Sequence, residues 1–218
     1  MRTTFAASWR WLGVPALLAV GAGAWQWAAH LPQDRVETLT LTHPLVTSAP
    51  AVCPWRDPQG DLRTFFPTAD RYQTRLMVLS GLRLPILHRL GPGASLESNS
   101  LSVFSVFRGV APQGAVLVRR AVGEYGVIEV VVGVNTVGRV QGVRLQRLRE
   151  PDRIAQALTD PAWLQAFRGK TADSPWRLGG DVPDRPAPAR ASARTIVGAV
   201  RRLLIEYDVS QQHAKQRT

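Results

Sequence analysis

The chain has 218 residues, with 27 basic and 16 acidic side chains and a formal net charge of +11. Its 45% hydrophobic and 20% charged composition is that of a folded chain, long enough for one domain or a domain with an appendage. A single cysteine, Cys53, excludes an internal disulfide and any multi-cysteine metal centre, and His30, His43, His88 and His213 lack metal-ligand spacing. All basic residues but Lys170 and Lys215 are arginine, and they are dispersed: 15 basic and 8 acidic residues lie in 139–218, 12 and 8 before it. A nucleic-acid binder concentrates its charge in a run or on one helix face, so nucleic acid is not an expected partner.

The stretch Trp11–Ala29 carries only Gln26 as a strongly polar residue. At about 1.5 Å per residue it spans about 28 Å, close to the hydrocarbon core of a bilayer. Trp9 and Trp11 flank one end and Trp25 and Trp27 the other, and Arg2 and Arg10 precede it without an acidic residue. The expectation is a single-pass span in the inner (cell) membrane. The amino terminus is then cytoplasmic, and the rest of the chain periplasmic or otherwise extracytoplasmic. A cleaved signal peptide ending near Ala22-Gly23-Ala24 is the alternative, and a buried helix of a soluble domain a third.

Residues 31–60 show no sustained period and read as a linker with one short strand at Val36–Leu41. Over 70–90, Tyr72, Leu76, Leu79, Leu82, Ile86, Leu87 and Leu90 recur at helical spacing, with Pro85 expected to kink or break the helix. With Arg71, Arg75, Arg83 and Arg89 interleaved, this helix either lies on an anionic membrane surface or packs on a core. Strands are expected at Leu101–Phe107, at Ala115–Arg119 after a Pro112-Gln113-Gly114 turn, at Val127–Val134 and at Arg139–Leu148. Val127–Val134 is apolar on both faces, which calls for a central strand covered on both sides. Two short helices follow, around Asp152–Leu158 and Pro161–Phe167, and then a terminal helix over Ala191–Tyr207. In that last helix Ile196, Val197, Val200, Leu203, Leu204 and Tyr207 form one stripe. The fold class is therefore α+β: a single N-terminal transmembrane helix, then an antiparallel-sheet domain closed by a C-terminal helix.

The segments Gly123-Glu124-Tyr125-Gly126, Val127–Val134 and Gly138–Val143 resemble the FMN-binding domain family. That family includes the G subunit of the Rnf electron-transport complex and the C subunit of sodium-translocating NADH:quinone reductase. Phe167-Arg168-Gly169-Lys170-Thr171 is similar to the family's F-x-GK element, and Gly179-Gly180 to its Gly-Gly pair. Asp184–Ala193 occupies the place of its D-x-x-[ST]-G-A-T-x-[ST]-S segment. The likeness covers residues 100–207. It implies an organisation of 1–30 as cytoplasmic terminus and anchor, 31–69 as linker, 70–100 as an amphipathic helical segment, 101–208 as an FMN-binding-like domain and 209–218 as a polar tail.

In the family the threonine of S-G-A-T carries FMN through a phosphoester, which needs a hydroxyl oxygen. The matching position here is Arg190, with Ala187 and Pro188 replacing the Ser/Thr and Gly. Covalent FMN is therefore not expected. Non-covalent FMN stays possible, with Arg190, Ser192, Lys170, Thr171 and Tyr125 as candidate cofactor-binding residues. A cation at a helix start calls for a nearby anion, either a phosphate or a carboxylate such as Asp184.

The charged set Glu124, Glu129, Glu150, Arg119, Arg120, Arg144, Arg147 and Arg149 reads as a solvated ion-pair face or a surface for an acidic partner or redox carrier. No catalytic residues are expected: no Ser-His-Asp set, paired carboxylates or P-loop is present, so at most the chain is an electron-transfer subunit. The expected partners are the lipid bilayer and a membrane protein or redox complex. The alternative function is a non-redox assembly module that keeps the fold.

Overall fold

The computed structural model describes residues 38–44, 59–96 and 98–216. The expected membrane span, Cys53 and most of the expected linker lie outside these residues. Among the described residues no helix is long and apolar enough to cross a membrane.

Six strands run in sequence order across one antiparallel sheet: β1 (Thr38–Pro44), β2 (Arg71–Val78), β3 (Ser100–Arg108), β4 (Ala111–Val122), β5 (Val127–Asn135) and β6 (Val140–Leu148). Among the described residues five α-helices accompany it: α1 (Gln59–Phe65), α2 (Arg83–Leu90), α3 (Asp152–Thr159), α4 (Pro161–Gln165) and α5 (Arg190–Lys215). The α+β class with an antiparallel sheet and a C-terminal helix is what the sequence pattern calls for.

The sheet has a core on each face, as the unbroken apolar run of β5 requires. On one face Leu117, Val130 and Val132 meet Ile196, Val200, Leu203 and Leu204 of α5. On the other, Val116 and Val131 join Tyr72, Phe104 and Val106 under Leu62 and Phe66. Alternate residues of β5 thus serve opposite cores, so seven consecutive positions, Ile128–Val134, are buried. Phe65 explains a glycine pair there: Gly133 and Gly142 face each other across β5 and β6. A Cβ on Gly133 would fall 2.6 Å from Phe65 Cγ, and one on Gly142 2.9 Å from its Cε1. The aromatic ring occupies the space that two side chains would take.

Five expectations are corrected. Arg71–Val78 is a strand, not the first half of a helix, paired with both β1 and β3. The residue the helical spacing put in the core, Leu76, is 38% exposed, whereas Met77 is buried. Pro85 does not break a helix; it sits in the first turn of α2, where its missing N–H has no intrahelical partner to lose. The β3–β4 turn is at Gly109–Val110, with Gly109 at φ 58°, while Pro112–Gly114 lie within β4 beside a bulge. Residues 209–215, expected as polar tail, continue α5, and Val209 and Ser210 are buried. The stretch read as linker holds, besides the one short strand expected there (β1), the helix α1.

Candidate functional site

The start of α5 meets the irregular segment that follows α4. That segment is organised by aromatic rings: Trp163 packs edge-on to Phe167 with centroids 5.2 Å apart, and Phe167 lies 6.2 Å from Trp176. The Trp176 indole N–H donates to the Thr171 carbonyl (3.1 Å). Lys170 donates to the Pro175 carbonyl (3.0 Å) and holds its ammonium 5.3 Å from the centre of the Trp176 ring. The Thr171 N–H donates to the Ser174 hydroxyl (2.8 Å). Lys170 and Thr171 therefore set the position of Trp176.

Trp176 forms one wall of an open groove of about 540 Å³. Arg177, Asp184, Arg190, Arg194 and Arg201 also line it. This volume lies within the usual range of small-ligand sites, roughly 300–1,000 Å³. Arg190 is the first residue of α5, and its Nη2 lies 2.9 Å from Asp184 Oδ2, both side chains about half exposed. The anion beside the helix-start cation is thus a carboxylate of the same chain. The Arg185 backbone N–H donates to Asp184 Oδ1 (2.9 Å), and with the hydrogen bond from Arg190 and the charges of Arg190 and Arg194 it holds the Asp184 carboxyl below the usual range. Among the described residues the guanidinium groups of Arg177 and Arg194 form no ion pair. Arg201 donates to the Leu90 and Arg89 carbonyls (3.0 Å each), so its charge meets no carboxylate either.

Gly198 lies on the same stripe of α5, two turns beyond Arg190, and is exposed. An interior helical glycine is about 1 kcal/mol less favourable than alanine. Packing gives no reason for it, because a Cβ here would meet nothing within 4 Å.

The other two candidates lie elsewhere. Ser192 is buried and faces the β4–β5 end of the sheet: its hydroxyl donates to Glu150 Oε1 (2.6 Å) and accepts from the Glu124 N–H (2.9 Å). Tyr125, in the β4–β5 loop, is 58% exposed and does not line the groove. The charged set is solvated only in part: Arg120, Glu124, Arg144, Arg147 and Arg149 are exposed, whereas Glu129, Glu150 and most of Arg119 are enclosed. Glu129 is buried and accepts from Arg120 (2.9 Å), Glu150 is buried on Ser192, and Arg144 pairs with the buried Asp61. These carboxylates are enclosed because the sheet is covered on both faces, which residue type alone does not disclose.

Arg190 is thus the one candidate in the groove wall, Lys170 and Thr171 support it through Trp176, and Ser192 and Tyr125 are not part of it. Trp176, Arg177, Arg194 and Arg201 belong to no motif. The legible signal for one of them, Arg194, is its i, i+4 spacing from Arg190 with Gly198 one turn further.

The groove suits an oxyanion bonded to a flat ring: Arg177, Arg194 and Arg201, which form no ion pair among the described residues, line it together with the Trp176 indole. Among the described residues no serine or threonine lines it. No family model matches the chain, and no curated protein matches it. Among solved structures, the crystal structure of Shewanella oneidensis NqrC is similar over 82% of this chain and 84% of that one, at 17% identity and a TM-score of 0.42.

Proposed function

We propose that the chain is a membrane-anchored, extracytoplasmic module of a membrane electron-transfer complex that holds a flavin without a covalent bond. The observation that carries this reading is the groove at the start of α5, where Trp176 faces Arg177, Arg190, Arg194 and Arg201. The resemblance of residues 100–207 to the FMN-binding domain family supports the cofactor class. The tryptophan-bracketed stretch Trp11–Ala29 supports the anchor.

FMN fits the residues present. Its phosphate would be held by Arg194 and Arg177, with Arg190 kept in place by Asp184, and its ring system would lie against Trp176. Bound there, the isoalloxazine accepts and passes on electrons, and the protein supplies position and electrostatics. A phosphoester link has no acceptor in the groove: Arg190 offers no oxygen, and the Ser192 hydroxyl is buried against Glu150. Titration of the purified protein with FMN and with riboflavin, followed by tryptophan fluorescence, tests the reading. Saturable quenching by FMN, at least about tenfold weaker for riboflavin, is expected from the lost phosphate contacts. Equal response to both ligands contradicts the phosphate site.

A second reading, a non-redox assembly module, is favoured by a specific observation. Arg190 and Ser192, at two positions of the family's attachment segment, both have internal carboxylate partners. A colourless protein that does not respond to FMN selects it.

A further inference from the structure

The Trp176 groove does not end at the crest of α5. A second bay of about 420 Å³ lies on the other side and shares Gly198 and Arg201 with it. Arg119, Arg120 and Arg202 line this bay with Thr195, and among the described residues no carboxylate lines it. Arg119 and Arg120 are anchored from behind by Glu206 and Glu129. The absent side chain at position 198 leaves bare helix backbone at the boundary of two arginine-lined bays. A side chain at that point would stand between them.

A mononucleotide carries one phosphate and uses one bay. A diphosphate bridge that crosses the helix needs a crest without a side chain, which a glycine supplies, and cationic groups on both sides of the crossing. We infer that the trough over Gly198 binds a diphosphate-bridged dinucleotide, one phosphate facing Arg194 and the other facing Arg201 and Arg202. This inference rests on the flavin reading and extends its ligand from the mononucleotide to the dinucleotide, FAD. The flavin end lies against Trp176, and the adenosine end enters the second bay beside Thr195 and Leu90.

The test is calorimetric titration of the whole chain with FAD and FMN, for the natural sequence and for Gly198→Ala and Gly198→Leu. FAD is expected to bind at least about tenfold more tightly than FMN. The ratio should fall toward one in Gly198→Leu, with Gly198→Ala between. Thermal midpoints report on folding: Gly198→Ala should melt roughly 2–4 °C higher, so its lost selectivity is not a loss of structure. Equal affinity for the two flavins, or an unchanged ratio in Gly198→Leu, overturns the dinucleotide and leaves the flavin reading standing. Binding of neither flavin overturns both.

Discussion

Arg119 on β4 and Glu206 on α5 are joined inside the protein, with a single guanidinium nitrogen, Nη2, 2.6 Å from both carboxylate oxygens. Their side chains are 9% and 0% exposed. The pair ties the closing helix to the sheet beneath it. Removing one partner strands the other charge in a low-dielectric interior. Glu206→Ala is therefore expected to cost about 3–5 kcal/mol in urea denaturation. The double variant Arg119→Met/Glu206→Leu should recover most of that loss, because well-packed apolar replacements avoid the desolvation of both ions. A single variant within about 0.5 kcal/mol of the natural sequence would show that the pair is not enclosed in solution.

Ser192 holds two groups at once, the Glu150 carboxylate and the Glu124 N–H. Ser192→Ala leaves both without this partner, at a cost of about 1–3 kcal/mol. Flavin affinity should not change, since Ser192 does not line the groove. A variant of normal stability that has lost FMN would place the phosphate at Ser192 instead.

Asp61 supplies a pH dependence. Its carboxyl is pushed up from the usual range by burial, against the opposing hydrogen bond from Gln146 and charge of Arg144. A folded-state pKa above the unfolded one means this group's contribution is complete below about pH 4 and is lost as pH rises through the folded value. Asp61→Asn removes the ionisation and keeps an acceptor for Gln146. The variant should gain stability relative to the natural sequence between pH 4 and pH 7, read as the difference in urea midpoints. A difference that shrinks over that interval would give the shift the opposite sign.

Arg194 and Arg190 separate binding from stability. Arg194 forms no ion pair among the described residues, and the half-exposed Arg190–Asp184 pair is worth at most about 1 kcal/mol. Arg194→Ala should therefore melt normally and weaken FMN by about tenfold, the usual worth of one charge-assisted hydrogen bond. Arg190→Ala should lose little stability. An unchanged FMN constant in Arg194→Ala would move the phosphate out of this groove.

What the sequence discloses follows from how far each element depends on its neighbours. β5 and α5 are legible because their burial is encoded locally, one in an unbroken apolar run and the other in a stripe of six residues. β2 is not, because Leu76, Leu79 and Leu82 fall at helical spacing by coincidence, and pairing with β1 and β3 decides the conformation. α1 is a helix of seven residues whose reason to exist is the space over Gly133 and Gly142, filled by Phe65. In the site, Arg190 and its need for an anion are legible, and Asp184 was already the nearest carboxylate in sequence. Trp176 and Arg177 are not, because they sit in an irregular segment placed by Trp163 and Phe167 rather than by any period.

A flavin held without a covalent bond is tested most directly by the visible spectrum of the protein purified from its native host, before and after acid precipitation. Flavin absorption released into the supernatant is the predicted result. Colour that stays with the precipitated protein would contradict it, and so would a preparation without flavin absorption that FMN cannot restore.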